Sequence, residues 1–138
     1  MALIVLDAGV VIAVLDANDA RHVAAMAAVA AAMDRGDDLV LPASAYAEIL
    51  VAPHRRGPEA VATVDAFLDA LPAAIEPATR VVAARAARLR AAHGTALRLP
   101  DALVIATALA LGADLVITTD GRWPSVPVPV EVVGTLQS

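Results

Sequence analysis

Short, wholly aliphatic runs alternate with longer stretches of helical periodicity along this chain, and the alternation predicts its elements. Ala2-Leu3-Ile4-Val5-Leu6 is apolar at every position and stops at Asp7, the pattern of a strand covered on both faces in a parallel sheet. Gly9 lets the chain turn, and Val10 to Leu15 continue as a short apolar helix. The next helix starts from a cap at Asn18 or Asp19, runs to about Arg35 and stops at Gly36. Met26, Val29 and Met33 recur on it at helical spacing, a stripe for the core or for a partner. Leu39-Val40-Leu41, closed by Pro42, is a second strand, and Ala43 to Ala52 is a helix with Glu48 between Ala47 and Ile49. Pro53-His54-Arg55-Arg56-Gly57 reads as a basic turn, after which Pro58 opens a helix with Val61, Val64, Leu68 and Leu71 on one face. Ala74-Ile75-Glu76 forms a short third strand, and a helix from Thr79 to Ala92 turns Val82, Ala86 and Leu89 inward before Gly94 ends it.

The stretch Leu99-Pro100-Asp101-Ala102-Leu103-Val104-Ile105-Ala106-Thr107-Ala108-Leu109-Ala110 is apolar on every side of a helix, so that helix belongs in the middle of the fold. Pro100 suits its first turn, where a missing N–H costs no bond. Asp101 then sits at the helix mouth, where a lone carboxylate answers the positive end of the dipole for about 0.3–1 kcal/mol. Asp114-Leu115-Val116-Ile117-Thr118-Thr119-Asp120 is another aliphatic strand ending in an acid. Pro124, Pro127 and Pro129 fix an extended connection to a last strand, Val130 to Val133, at the sheet edge. Strands alternating with helices predict a three-layer α/β/α fold with a mainly parallel central sheet, as one domain over residues 1–138.

Composition removes several kinds of chemistry. Residues are 59% hydrophobic with one Phe, one Tyr and one Trp, so the core is aliphatic. Asp34, Asp101 and Asp114 interrupt every apolar run before the length of roughly 18 residues that spans a membrane. No basic region precedes the first apolar run, which reads against a signal peptide and for a cytoplasmic address. The absence of cysteine excludes disulfide scaffolds, thiolate nucleophiles and zinc fingers. A net charge of −5 argues against a general nucleic-acid coat protein. All 10 Lys-plus-Arg residues are Arg, which excludes a P-loop and weighs against a phospho-accepting receiver domain. The Arg-only usage fits compositional bias as well as phosphate contact.

What remains is carboxylate chemistry. In open parallel sheets the ligand crevice lies beyond the carboxyl ends of the strands. Asp7 and Asp120 each follow an aliphatic strand directly, Asp101 opens the helix that feeds the Asp120 strand, and Glu48 follows the second strand by about two helical turns. Four carboxylates drawn together in a half-buried crevice repel one another and resist ionisation. A cation resolves the conflict, and all-oxygen ligands suit Mg²⁺, or Mn²⁺ in its place. His22, His54 and His93 have no ligand spacing and read as surface or capping residues. Ser44, Ser125 and Ser138 include no nucleophile elbow, and no Gly-rich dinucleotide fingerprint follows the first strand.

The strand into Asp7, Glu48 in Ala-Glu-Ile, the Pro100-Asp101-Ala102-Leu103-Val104-Ile105-Ala106-Thr107-Ala108 helix and Val116-Ile117-Thr118-Thr119-Asp120 together resemble the PIN domain. More closely, they resemble the VapC-type toxin ribonucleases of toxin–antitoxin pairs, over essentially the whole chain. The resemblance implies that Asp7, Glu48, Asp101 and Asp120 are catalytic, metal-site acids, with Asp7 and Asp101 as direct ligands of Mg²⁺ and Thr118 in support. It implies an endoribonuclease in which water attacks the phosphodiester, leaving 5′-phosphate and 3′-hydroxyl ends. It also implies a homodimer and a cognate VapB-like antitoxin whose tail covers the acid site, docked on the Met26 and Val61 stripes. An acidic crevice is complementary to an Arg-bearing tail. With so few aromatics, RNA is held by shape and by arginines such as Arg21, Arg55, Arg56 or Arg122, each of which also reads as a solvated charge. Trp123 either stacks on a base or packs under the Pro-rich segment.

One position departs from the family pattern. Gly9 stands where the family commonly has Asn, Ser or Thr, so a contact to the attacking water or phosphate is missing. This keeps open a different class of function, a PIN-fold protein that binds RNA or a partner with little or no cleavage. On the missing-contact view, Gly9→Ser or Gly9→Asn raises cleavage at unchanged metal affinity. If instead close approach forbids a Cβ at position 9, both variants lose stability and activity together, and melting temperature beside cleavage rate separates the two.

Overall fold

The structure is a computed structural model and describes residues 1–134. Five strands form one sheet: β1 (Leu3–Leu6), β2 (Asp38–Pro42), β3 (Ala73–Glu76), β4 (Leu115–Thr118) and β5 (Val130–Val132). Their order is β3-β2-β1-β4-β5 and every pairing is parallel, with Val5 in register between Val40 and Val116. Among the described residues the expected mainly parallel sheet is wholly so. Successive side chains of a strand point to opposite faces. Ile4, Val5 and Leu6 are each at most 1% exposed, so helices cover both faces of β1 and the fold has three layers. β3 and β5, at the edges, leave more of themselves exposed.

The chain lays β2 and β3 to one side of β1, then returns to place β4 and β5 on the other. The direction of winding therefore reverses between β1 and β4, which opens a crevice beyond their carboxyl ends. This order is also not the 2-1-3-4-5 order of receiver domains, in agreement with the missing lysine.

Among the described residues six helices connect the strands: α1 (Ala8–Leu15), α2 (His22–Asp34), α3 (Ala43–Arg56), α4 (Pro58–Ala70), α5 (Arg80–His93) and α6 (Leu99–Leu111). A 3-10 turn at Gly94–Ala96 separates the last two. α6 is the central helix that its composition predicts, with Ala102, Val104, Ile105, Ala106, Thr107 and Ala108 buried. The Thr107 hydroxyl would be costly there without a partner, and it donates to the Leu103 carbonyl at 2.8 Å. Gly112, in the left-handed region at φ 64°, ends the helix and returns its N–H to the carbonyls of Ala108 and Leu109.

Three boundaries differ from expectation. α1 begins at Ala8, directly after the strand, because the Asp7 carboxylate caps it; Gly9 lies inside the helix rather than in a turn. α2 has no side-chain cap, since Asp19 accepts instead from the Arg21 N–H at 2.8 Å in a local Asx turn. α3 does not stop at Ala52 but runs through a buried Pro53 to Arg56. The lost backbone bond is offset by burial of the ring, and His54, Arg55 and Arg56 in the last turn oppose the negative helix end. Met26 and Met33 are 47% and 43% exposed while Val29 is buried, so the α2 stripe is split between core and surface. Among the described residues, no helix is long and apolar enough to cross a membrane.

Because Ile105 is fully buried on α6, Ile105→Ala is expected to destabilise the fold by about 2–5 kcal/mol. The check is denaturant unfolding, in which the midpoint falls and the slope stays unchanged.

Candidate active site

The crevice between β1 and β4 is lined by Asp7, Gly9, Ile12, Arg21, Glu48, Arg98, Asp101 and Thr119 to Arg122, and its volume is about 540 Å³. All four acids singled out from the sequence meet here. Asp7 is the deepest, 8% exposed. Its backbone N–H extends the β1–β4 pairing by donating to the Ile117 carbonyl at 2.9 Å. Its Oδ1 accepts from the Ala8 N–H at 2.8 Å, which starts α1, and its Oδ2 accepts from the Thr118 hydroxyl at 2.7 Å. Thr118, completely buried, accepts in turn from the Asp120 N–H at 3.1 Å. One hydroxyl thus fixes both strand-end acids.

Asp101 enters from the first turn of α6 and Glu48 from the middle of α3. Arginines flank the acids. Arg98 Nε lies 3.7 Å from Asp101 Oδ2, and Arg122 closes on Asp120 Oδ1 through its backbone N–H at 2.9 Å and its Nε at 3.2 Å. Burial pushes the Asp7 carboxyl up, against the two hydrogen bonds that hold it down, and the charges of Asp101 and Asp120 add to the rise. Loss of water around its carboxylate also raises Glu48, followed by repulsion from Asp7 and Asp101. Asp101 is raised by burial against the pull of Arg98, with Asp120 adding to the rise. Burial also pushes Asp120 up, but the Arg122 N–H and guanidinium outweigh it and hold the group below the usual carboxylate range.

The PIN domain model matches residues 4–129 of the chain. The chain belongs to the PIN-domain family. Solved structures share its fold at low identity. VapC20 from Mycobacterium tuberculosis, described as a Sarcin-Ricin loop cleaving toxin, aligns with a TM-score of 0.69 at 21% identity, over 82% of this chain and 86% of its own. A toxin–antitoxin complex from Klebsiella pneumoniae aligns with a TM-score of 0.73 at 20% identity, over 96% and 97%. VapBC2 from Rickettsia felis, bound to a DNA fragment from its promoter, aligns with a TM-score of 0.71 at 13% identity, over 95% and 98%. No curated protein matches the chain.

In this PIN domain the crevice offers carboxylate and hydroxyl oxygens, a donor set for hard cations rather than zinc. Among the described residues, no three acids are already drawn into a ligand cage. Of the arginines picked from the sequence, Arg21 and Arg122 line the crevice, whereas Arg56 lines a neighbouring groove and Arg55 is exposed at the end of α3. Arg98 escaped notice because only the first turn of α6 brings it beside Asp101. Trp123 is half-buried against the core and lines a hollow with Pro124, Val126 and Val128. Its buried Nε1 forms no hydrogen bond of good geometry, yet the indole lies close enough to Asp101 to favour its ionised form. His22, read as a surface or capping residue, joins α2 to α1 through Nδ1 and the Ala13 carbonyl at 2.8 Å.

Gly9 has no positive φ, but a Cβ there would overlap Thr119 Oγ1. A serine or asparagine there has to displace that hydroxyl.

The raised acids set a sign for pH dependence. Asp7, Glu48 and Asp101 bind protons more tightly folded than unfolded, so their contribution to stability is full below the ordinary carboxylate range and is lost as pH rises through their folded values. Asp120 runs the other way. The metal-free protein is therefore expected to gain melting temperature as pH falls from 7 toward the ordinary carboxylate range of about 4. Asp101→Asn should be more stable than wild type at pH 7 and show a flatter profile, checked by thermal unfolding in EDTA across that range.

Proposed function

We propose that this PIN domain is a Mg²⁺-dependent endoribonuclease and the toxin of a type II toxin–antitoxin pair. The reading rests on one observation, the convergence of four acids distant in sequence at the point where the sheet reverses. Asp7 and Asp101 are the proposed direct ligands, with Glu48 and Asp120 completing the site and Thr118 holding two of the acids in place. Their chemistry fits the ion. Mg²⁺ binds through one or two carboxylates and keeps several waters, and the acids here line an open crevice. Mn²⁺ is the expected substitute. Such an ion, when bound, neutralises charge on the phosphate and makes water a better nucleophile.

The chain's own groups account for the rest. Glu48 has no hydrogen bond or ion pair among the described residues and its carboxyl is pushed up, so it suits the removal of a proton from the attacking water. Arg21, Arg98 and Arg122 ring the acids and supply donors in the planar geometry that phosphates accept. Serial stacking of bases is not available to a chain with one Trp, one Tyr and one Phe.

For the partner, the Klebsiella and Rickettsia neighbours are themselves toxin–antitoxin assemblies. A groove of about 250 Å³ lined by Ile12, Leu15, Ile49, Ala52, Pro53 and Val64 adjoins the crevice through Ile12 and Glu48. An antitoxin tail with apolar anchors fits it, and an arginine from that tail would enter the acids. The exposed Met26 and Met33 on α2 are the second proposed docking face, and a homodimer is proposed with it.

Purified protein incubated with total RNA is expected to cut it with Mg²⁺ or Mn²⁺, leaving 5′-phosphate ends, and to stop in EDTA. Asp7→Asn and Asp101→Asn should each lower the rate by on the order of a hundredfold or more. Millimolar Mg²⁺ should raise the wild-type melting temperature, because it binds the folded state alone. RNA binding without divalent-dependent cleavage would replace this reading with that of a PIN-fold binding protein.

A further inference from the structure

Gly9 lies inside α1 with an ordinary helical backbone, so no left-handed conformation explains the glycine. What the missing side chain provides is room. A Cβ at position 9 would overlap Thr119 Oγ1 and stand 3.5 Å from Thr119 Cβ. The hydroxyl, not the methyl, is therefore the part of Thr119 that lies over the bare Cα. A threonine side chain is confined to staggered positions about χ1, so the residue at position 9 decides whether this one is allowed.

The two threonines at the end of β4 differ in their commitments. Thr118 is buried and its hydroxyl both donates to Asp7 and accepts from the Asp120 N–H. Thr119 is half-buried, lines the crevice beside all four acids, and its hydroxyl has no hydrogen-bond partner among the described residues. Carboxylates only accept hydrogen bonds, and a phosphodiester entering this crevice needs donors. Two of the three nearby guanidiniums already face Asp101 and Asp120. Thr119 is a short, neutral and uncommitted donor among acceptors, and a hydrogen bond from it to an anionic oxygen is of the stronger, charge-assisted kind.

We infer that Thr119 is a substrate-binding residue, donating its hydroxyl to a non-bridging oxygen of the scissile phosphodiester, and that position 9 is glycine so that this hydroxyl can lie over α1. The inference rests on the nuclease reading and adds a residue to it. Gly9 acts through Thr119 and is a positioning residue.

The test compares wild type, Thr119→Val, Thr119→Ser, Gly9→Ala, Gly9→Ala/Thr119→Ala and Asp101→Asn for cleavage of one RNA in Mg²⁺, beside melting temperature and Mn²⁺ affinity by calorimetry. Thr119→Val keeps the shape and loses the donor, so it is expected to lose roughly 10–100-fold in kcat/KM at wild-type melting temperature and Mn²⁺ affinity. Thr119→Ser should retain most of the rate. Gly9→Ala should lose rate as Thr119→Val does and also melt lower, whereas the double variant should recover the melting temperature without recovering the rate. Alanine is the better helix former, so the lower melting point of the single variant reports the collision with Thr119 and needs no activity to be read. Thr119→Val cleaving as fast as wild type, or Gly9→Ala melting no lower than wild type, overturns the inference and leaves the nuclease reading standing. Wild type no more active than Asp101→Asn overturns both.

Discussion

A carboxylate held at the joint of two central strands and a helix is the constraint on which this molecule depends. Asp7 is nearly buried, and an ionised group there loses hydration that has to be replaced. The Ala8 N–H and the Thr118 hydroxyl replace part of it. The second bond requires β1 and β4 to be adjacent and in their observed register, because Thr118 ends β4 and Asp7 directly follows β1. The same carboxylate starts α1, so sheet register, helix start and site geometry are one arrangement. The replacement is incomplete, as the raised Asp7 carboxyl shows. A fold that places a poorly compensated acid at its centre gives up stability there.

The acids and arginines around Asp7 are graded by depth. Asp7 is fixed by bonds from within the fold, while Asp101 and Asp120 face arginines whose own side chains are 73% and 87% exposed. Ion pairs so exposed are worth little, about 0–1 kcal/mol, and are screened by salt. The guanidiniums are therefore free to exchange a carboxylate for a phosphate, whereas the acids, anchored on strand ends and a helix start, stay in place. Rigid acceptors and exposed cations suit the proposed site, which would receive a polyanion despite its own negative charge.

How plainly each acid stands out in the sequence reflects its physics. Asp7 and Asp120 were legible because parallel strands buried on both faces are written as aliphatic runs, and the residue that ends such a run lies at the sheet's carboxyl edge. Asp101 was legible as the polar residue opening a helix that is otherwise hydrocarbon. Glu48 was placed by helical arithmetic alone, and the fold brings it to the rim of the same crevice. A proline normally stops a helix, yet α3 runs past the end expected at Ala52, because burial of the Pro53 ring outweighs the lost hydrogen bond.

Local pattern by itself determined the elements, the α/β class and the candidate acids, since the periods of burial and the punctuation by Pro and Gly act within a few residues. It did not determine contacts made by single atoms across the chain. That Thr118 bonds both Asp7 and Asp120, that Arg98 faces Asp101, and that Trp123 lies by the same acid depend on where separate elements dock. Gly9 shows the difference most clearly. In the sequence it is a turn residue or a missing side chain. In the folded protein it is the space that Thr119, 110 residues away, fills with a hydroxyl. Only tertiary structure decides that, because excluded volume acts between neighbours in space, whatever their separation along the chain.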